Sequence, residues 1–386
     1  MFVVGWGANM FAPLLGEYRT ALTSVDVTGL FGAYVLGLMP ALLIAAPLSN
    51  RWGRRAVLRP VLVLSAIGSL VLLFAGDSFF GLLAGRILVG IAAGGAFTPG
   101  TTWVKELSDR AGASAAGARR AAVALTGGFA TGPLLTGLLA QWAPLPEVIP
   151  YLIQIALVVV VFVFIRRAPE TVEVAGMPDA PAGASGSAVP SNRLGALLRS
   201  RVFLAAILPT APWVFGAATA SLAALPSHVD VGPFGELVSG LVAAVTLGTG
   251  ILVQPWAGRL ALRSRRAGFQ WGLAALVAGM LLGALTAATH SVLAFAPAAV
   301  LLGAAYGLLI VSGLRTIDEL ASAHELAALT GVFYCVTYVG FAFPLLDSVF
   351  DPVISAPGVF LIAAALGAAA FLGVASAWKP GAARRG

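Results

Sequence analysis

The sequence predicts an all-α membrane protein of about twelve transmembrane helices arranged as two pseudo-symmetric six-helix bundles, and three observations predict it. Hydrophobic residues make up 59% of the 386-residue chain and charged residues only 10%, at a mean hydropathy of +0.95. A soluble domain carries roughly a quarter charged residues. Apolar runs of roughly 20 residues, the length that crosses about 30 Å of hydrocarbon, recur from one end of the chain to the other. The basic residues gather in alternate gaps between those runs.

The runs of the first half cover 2–20, 28–49, 57–76, 79–103, 119–142 and 148–165. The first begins at Met1 with no basic flank. A cleaved signal peptide is the rival reading there, but a positive n-region and a clean small-x-small site are missing. The fifth, "RRAAVALTGGFATGPLLTGLLAQW", carries four glycines and Pro133, which would weaken a helix in water. In lipid, neighbouring groups re-satisfy the backbone at a proline and glycines let helices approach closely, so a tightly packed spanning helix accounts for the composition. "ETVEVAGMPDAPAGASGSAVPSN", at 170–192, then reads as a flexible linker without a packed core. The second half holds runs over 202–226, 234–257, 267–288, 291–313, 326–348 and 357–377, and Pro209 and Pro212 are expected to kink the first of them. The expected organisation is a bundle over 1–165, a cytoplasmic linker over 166–201 and a second bundle over 202–386.

Orientation follows from the bases. Arg51, Arg54, Arg55 and Arg59, then Lys105, Arg110, Arg119 and Arg120, then Arg166, Arg167, Arg193, Arg199 and Arg201, then Arg259, Arg263, Arg265 and Arg266, with Arg315 and the terminal Lys379, Arg384 and Arg385, all fall on one side. The positive-inside rule makes that side cytoplasmic, with both termini on it, in a cell (plasma) membrane. The opposite loops hold Asp26, Asp77, Glu147, Asp230, Glu236 and Asp351, with Arg19 as their base. The net charge of +7 is thereby explained by topology and calls for no nucleic acid. The single cysteine, Cys335, excludes an internal disulfide.

The halves resemble each other. "ALTGGF" at 124–129 returns as "ALTGVF" at 328–333, "KELS" at 105–108 as "DELA" at 318–321, and "APLSNR" at 46–51 as "QPWAGR" at 254–259. Three matches in one order, at offsets of 204–213 residues, indicate parallel repeats. Such repeats place a substrate path at their interface near the bilayer midplane, with alternating access by rocking.

Three motifs carry a family resemblance that covers the whole chain. "APLSNRWGRRAV" resembles motif A of the major facilitator superfamily, Gly-x-Leu-Ala-Asp-Arg-x-Gly-Arg-Arg, with Leu48, Arg51, Gly53, Arg54 and Arg55 matching, Ala46 replacing the glycine and Asn50 the aspartate. "RILVGIAAG" is similar to motif B, through Arg86 and Gly90. The fifth run resembles motif C, Gly-x-x-x-Gly-Pro-x-x-Gly-Gly, through Gly128, Gly132, Pro133 and Gly137, with Thr136 in the penultimate place. The resemblance implies the major facilitator fold, and motif C implies the drug:proton antiporter members and so export. It also implies conformational gating by Asn50, Arg51, Gly53, Arg54, Arg55, Gly128, Gly132, Pro133 and Gly137. Asn50 still accepts a hydrogen bond but forms no salt bridge, so the motif A latch is either weaker here or carried by another acid.

Arg86 lies about seven residues into the fourth run, where a charge is costly and faces a cavity or a partner acid. Snorkelling to the headgroups is the alternative. Glu17 is the partner nearest in depth and Asp26 the second choice, which makes Glu17, Arg86 and Asp26 the candidates for proton coupling; Glu17, Glu236 and Asp347 are the deepest carboxylates, all near outer span ends. Asn9, Tyr34, Gln154, Trp213, Gln254, Tyr306, Tyr334 and Tyr338 are polar or amphipathic groups at mid-span depths. Polar groups in apolar walls suit a small amphiphilic organic substrate, while helix packing is the alternative for the tyrosines.

Enzyme chemistry finds no support. "HELAA" at 324–328 lacks the second histidine of a zinc His-Glu-x-x-His motif, and "GASG" at 183–186 falls in the linker. No metal or cofactor is expected. The expected function is secondary export of a drug or metabolite by proton antiport, with substrate, protons and lipid as partners of a monomer. Proton-coupled import and a non-transporting receptor or lipid-handling role are the alternatives.

Overall fold

In the computed structural model the described residues are 1–171, 191–322 and 325–377. Their helices run in the order α1 (Phe2–Asn9), α2 (Leu15–Tyr18), α3 (Ser24–Trp52), α4 (Arg54–Ala75), α5 (Phe79–Arg110), α6 (Ser114–Trp142), α7 (Ile149–Arg167), α8 (Ser191–Leu198), α9 (Leu208–Thr219), α10 (Gly235–Arg263), α11 (Ala267–Thr289), α12 (Val292–Leu320), α13 (Leu326–Tyr338), α14 (Phe343–Ile354) and α15 (Ala356–Ala377). Most of the 170–192 stretch, the "GASG" fragment, His324 and the terminal basic residues lie outside the described residues.

Eleven helical segments among the described residues are long and apolar enough to cross a membrane. The expected first span, 2–20, is not one of them. It breaks into α1, a 3₁₀ turn at Ala12–Leu14 and α2, because Pro13 supplies no backbone N–H and its ring crowds the preceding turn. The seventh expected run is also irregular: π-helical turns at Phe203–Ile207 and Ala220–Ala224 bracket α9, which carries Pro209 and Pro212. Large apolar side chains such as Phe74, Phe80, Leu252 and Leu293 are more than three-quarters exposed. Water would penalise that surface; hydrocarbon does not.

The chain divides into two compact units, Met1–Ala180 with Val231–Leu247, and Pro181–Asp230 with Gly248–Gly386. In the first, α5 is the central helix, packed on α3, α4 and α6. Its contact with α3 is backbone to backbone: a Cβ on Gly90 would lie 2.1 Å from the Tyr34 carbonyl oxygen. α3 starts on a capping box in which Thr23 accepts from the Asp26 N–H and Asp26 accepts from the Thr23 N–H, satisfying donors that no helical carbonyl reaches. In the second unit α11 is central, between α12 and α15.

Candidate functional site

In the first unit, Arg86 on α5 is 1% exposed and the largest fully buried side chain. Its Nε donates to the Leu30 carbonyl at 3.2 Å and Nη2 to the Phe31 carbonyl at 2.9 Å, while Nη1 has no acceptor. The guanidinium carbon sits 4.5 Å from the Phe11 ring centroid and 4.8 Å from that of Tyr34. Phe11 stacks on Tyr18, whose hydroxyl meets that of Tyr151 at 2.9 Å. One turn along α7 from Tyr151, buried Gln154 donates to the Val3 carbonyl and leaves its Oε1 without a partner. Sequence reasoning singled out Arg86 for proton coupling and Tyr34 and Gln154 for a substrate cavity, and missed Tyr18, Tyr151 and Phe11, which lie on three different elements.

The expected Arg86–Glu17 pair is not formed. Carbonyl oxygens and aromatic faces stabilise the buried cation instead. Glu17 lies half-buried near Glu236 and Glu147, at the end of the unit opposite the motif A arginines. Asp26, the second choice, is engaged in the capping box of α3. In the loop before α7, burial and then the Asp77 charge push the Glu147 carboxyl above its ordinary range.

At the arginine-rich end, Gly53 joins α3 to α4 with φ +95°, a conformation that side-chain-bearing residues rarely adopt. Arg54 then reaches Glu106 on α5 with both Nε (3.2 Å) and Nη2 (2.8 Å), and its Nη1 donates to Ser49 (2.9 Å) and Asn50 (2.6 Å). The acid that the motif lacks at position 50 is therefore supplied by Glu106, in the planar two-point geometry that suits arginine. Glu170 adds a second brace. Its carboxylate accepts the backbone N–H groups of Arg54 (3.0 Å) and Arg55 (2.8 Å), capping α4 from 116 and 115 residues away. The segment after α7 is held further where Arg110 donates to the carbonyls of Glu170 and Thr171, and Trp103 to that of Pro169. Composition placed Glu170 in a flexible linker; nothing local in the sequence marks it as a cap. Arg55 and Arg59 donate to the Arg166 carbonyl, and Arg51 is exposed.

The motif C glycines form a seam. A Cβ on Gly128 would lie 2.1 Å from the Phe2 carbonyl oxygen, and one on Gly132 2.7 Å from that of Trp6, so α6 receives α1 against bare backbone. On its other side a Cβ on Gly137 would meet the Glu236 carbonyl oxygen at 2.5 Å, and one on Gly240 would meet that of Pro133 at 2.6 Å.

In the second unit Phe215 on α9 gathers the tyrosines, with Tyr306 (5.9 Å) and Tyr338 (4.7 Å) stacked on it and Phe341 at 5.4 Å. Tyr334 joins through Tyr338 at 6.3 Å. Phe215 itself has no polar atom and gave no sequence signal. Asn9, Trp213 and Gln254 are half-buried on α1, α9 and α10.

Eleven helices long and apolar enough to cross a membrane, among the described residues, define a multi-pass membrane protein. The chain belongs to the Major Facilitator Superfamily, whose sequence profile matches residues 1–343. It is a transporter and not an enzyme. It is 32% identical over 148 residues to the bacillibactin exporter of Bacillus subtilis (strain 168), a match spanning 36% of this chain and 37% of that relative. Its fold is similar to a POT peptide transporter (TM-score 0.76, 14% identity, 97% of this chain and 92% of that one). It is likewise similar to the nucleoside transporter NupG (0.73, 11%, 98% of each) and a D-xylose-proton symporter (0.70, 16%, 98% and 94%).

Proposed function

We propose that the protein exports a small amphiphilic organic compound by proton antiport, as a monomer in the plasma membrane with both termini cytoplasmic. The observation that carries the reading is the α6 seam. Gly128, Gly132 and Gly137 hold α6 against backbone on two sides at distances no side chain would permit, and this is the helix whose sequence resembles motif C of exporters. The partial likeness to a curated exporter supports the same direction. The broken 2–18 segment serves as a twelfth crossing, so that six spans make up each repeat.

In the transport cycle the two arginine braces act as the gate. Arg54 with Glu106, and Glu170 on the start of α4, tie α3, α4, α5 and the chain after α7 together at the cytoplasmic end. The Phe215 cluster provides aromatic surface for a flat amphiphile. Cells expressing the protein are expected to accumulate less ethidium than vector controls, and a collapsed pH gradient to abolish the difference. Concentrative uptake of a solute without ethidium efflux would overturn the reading in favour of import.

A further inference from the structure

The second unit holds a titratable pair that the gate and the aromatic cluster do not use. Asp347 on α14 is 2% exposed, and its Oδ2 lies 2.8 Å from His228 Nε2. Its Oδ1 is buried without any partner. His228, whose side chain is 13% exposed, ends the Leu225–His228 turn that follows the π-helical Ala220–Ala224. The imidazole stands edge-on to Phe360 of α15 at 6.1 Å, and Phe343, one turn before Asp347, also packs on Phe360 at 5.5 Å.

We propose that His228 and Asp347 together form the proton-binding site of the transporter; this deepens the antiport reading above and rests on it. With neutral His228 donating Nε2–H to ionised Asp347, the pair carries one net negative charge in an apolar surround. Burial of such a charge with one oxygen unsatisfied is unfavourable. Uptake of one proton by the pair removes the net charge, whether it rests on the imidazole or on the carboxyl. Three other titratable groups lie around the pair. From α11, His290 places Nδ1 2.9 Å from the His228 carbonyl oxygen and so bonds backbone. Asp230, two residues beyond His228, and Asp351, exposed one turn along α14, are both acids. The described residues of α15 include no charged group, and neither does the adjoining first half of α12.

The location suits a proton that enters where the acidic loops lie. His228 is the solvent-touching partner and Asp347 the buried one, so the proton arrives on the histidine side. Release is coupled to movement because the pair ties the end of the α9 segment to α14. Lower down the two segments are tied again, where the Thr219 hydroxyl donates to the Gly340 carbonyl at 2.9 Å. The π-helical turn between that contact and His228 is a natural hinge. Proton loss leaves an unneutralised carboxylate that draws Asp347 toward water and parts the two segments.

The test uses purified full-length protein in liposomes, with ethidium as the probe and an imposed pH gradient. Wild type is expected to concentrate ethidium against its gradient; His228→Gln and Asp347→Asn are expected to lose that concentrative movement at least tenfold. Exchange of ethidium at equal pH should fall less than threefold in both, and their melting temperatures in detergent report folding. Asp351→Asn is expected to behave as wild type. The double variant His228→Asp with Asp347→His, which keeps one imidazole and one carboxyl, is expected to recover gradient-driven movement. Gradient-driven movement that survives in both single variants overturns the pair as the proton site while antiport stands. A wild type indifferent to the pH gradient overturns both.

Discussion

Arg54→Lys keeps the charge at the proposed gate and removes its geometry. Arg54 makes four side-chain bonds, two to Glu106 and one each to Ser49 and Asn50. A lysine ammonium donates from one nitrogen, so it cannot span both Glu106 oxygens while still reaching across to Ser49 and Asn50. Two of the four bonds are lost. At about 0.5–1.5 kcal/mol for each bond, the braced form loses about 1–3 kcal/mol. Arg54 and Glu106 are 9% and 30% exposed, so solvent screens the pair only in part. A loss in the lower half of that range, about 1–2 kcal/mol, shifts the closed–open equilibrium roughly 5–30-fold. Ethidium efflux, normalised to protein in the membrane, is expected to drop correspondingly with insertion unchanged. Glu106→Gln should produce a similar loss, and the double variant less than the sum, because both remove one interaction. Wild-type efflux in Arg54→Lys, or strict additivity with Glu106→Gln, would refute the brace and leave the arginine as a topology anchor.

Three further outcomes are expected. Gly128→Ala puts a methyl 2.1 Å from the Phe2 carbonyl oxygen, so α1 must move off α6 at about 1–3 kcal/mol; a lowered melting temperature and weakened efflux check it, and an unchanged pair of values refutes the seam. Arg86→Ala removes two hydrogen bonds and the stack of Phe11 and Tyr34 on the guanidinium; a fall in melting temperature larger than that of Arg86→Lys is expected. For Glu147, burial and then Asp77 raise the folded-state value above the unfolded one, so its ionisation opposes folding as pH rises through that value. Glu147→Gln should therefore melt higher than wild type near neutral pH, and the difference should vanish as pH falls through the ordinary carboxylate range.

Much of the architecture was legible in one dimension because crossing a bilayer imposes a length and an apolar composition on each segment, and both are local properties. The runs at 57–76, 79–103 and 357–377 correspond to α4, α5 and α15 for that reason. The 2–20 run shows the limit of the argument. Its composition suits a span, but Pro13 breaks the helix, and hydropathy averages over the break. Arg86 stood out for a similar reason, as a lone charge at a depth where charges are costly. Its partners did not, because a guanidinium satisfied by carbonyls and ring faces leaves no complementary acid to find.

The sequence by itself determined that this chain is a multi-helix membrane protein, placed its basic loops on one side, and marked motifs A, B and C; each is a statement about composition or short spacing. Tertiary structure alone decided the pairings. Glu106 and Glu170 became the acids that hold Arg54 and the start of α4, Phe215 the hub of the tyrosines, and His228 the partner of Asp347, across separations of 52, 116, 123 and 119 residues for Arg54–Glu106, Arg54–Glu170, Phe215–Tyr338 and His228–Asp347. Hydropathy and spacing act over one or two turns, whereas a hydrogen bond forms wherever packing brings donor and acceptor within about 3 Å. Which distant groups meet is set by how the helices pack, as where glycines at 90, 128 and 132 let backbones touch, and those contacts exist only once the helices have packed.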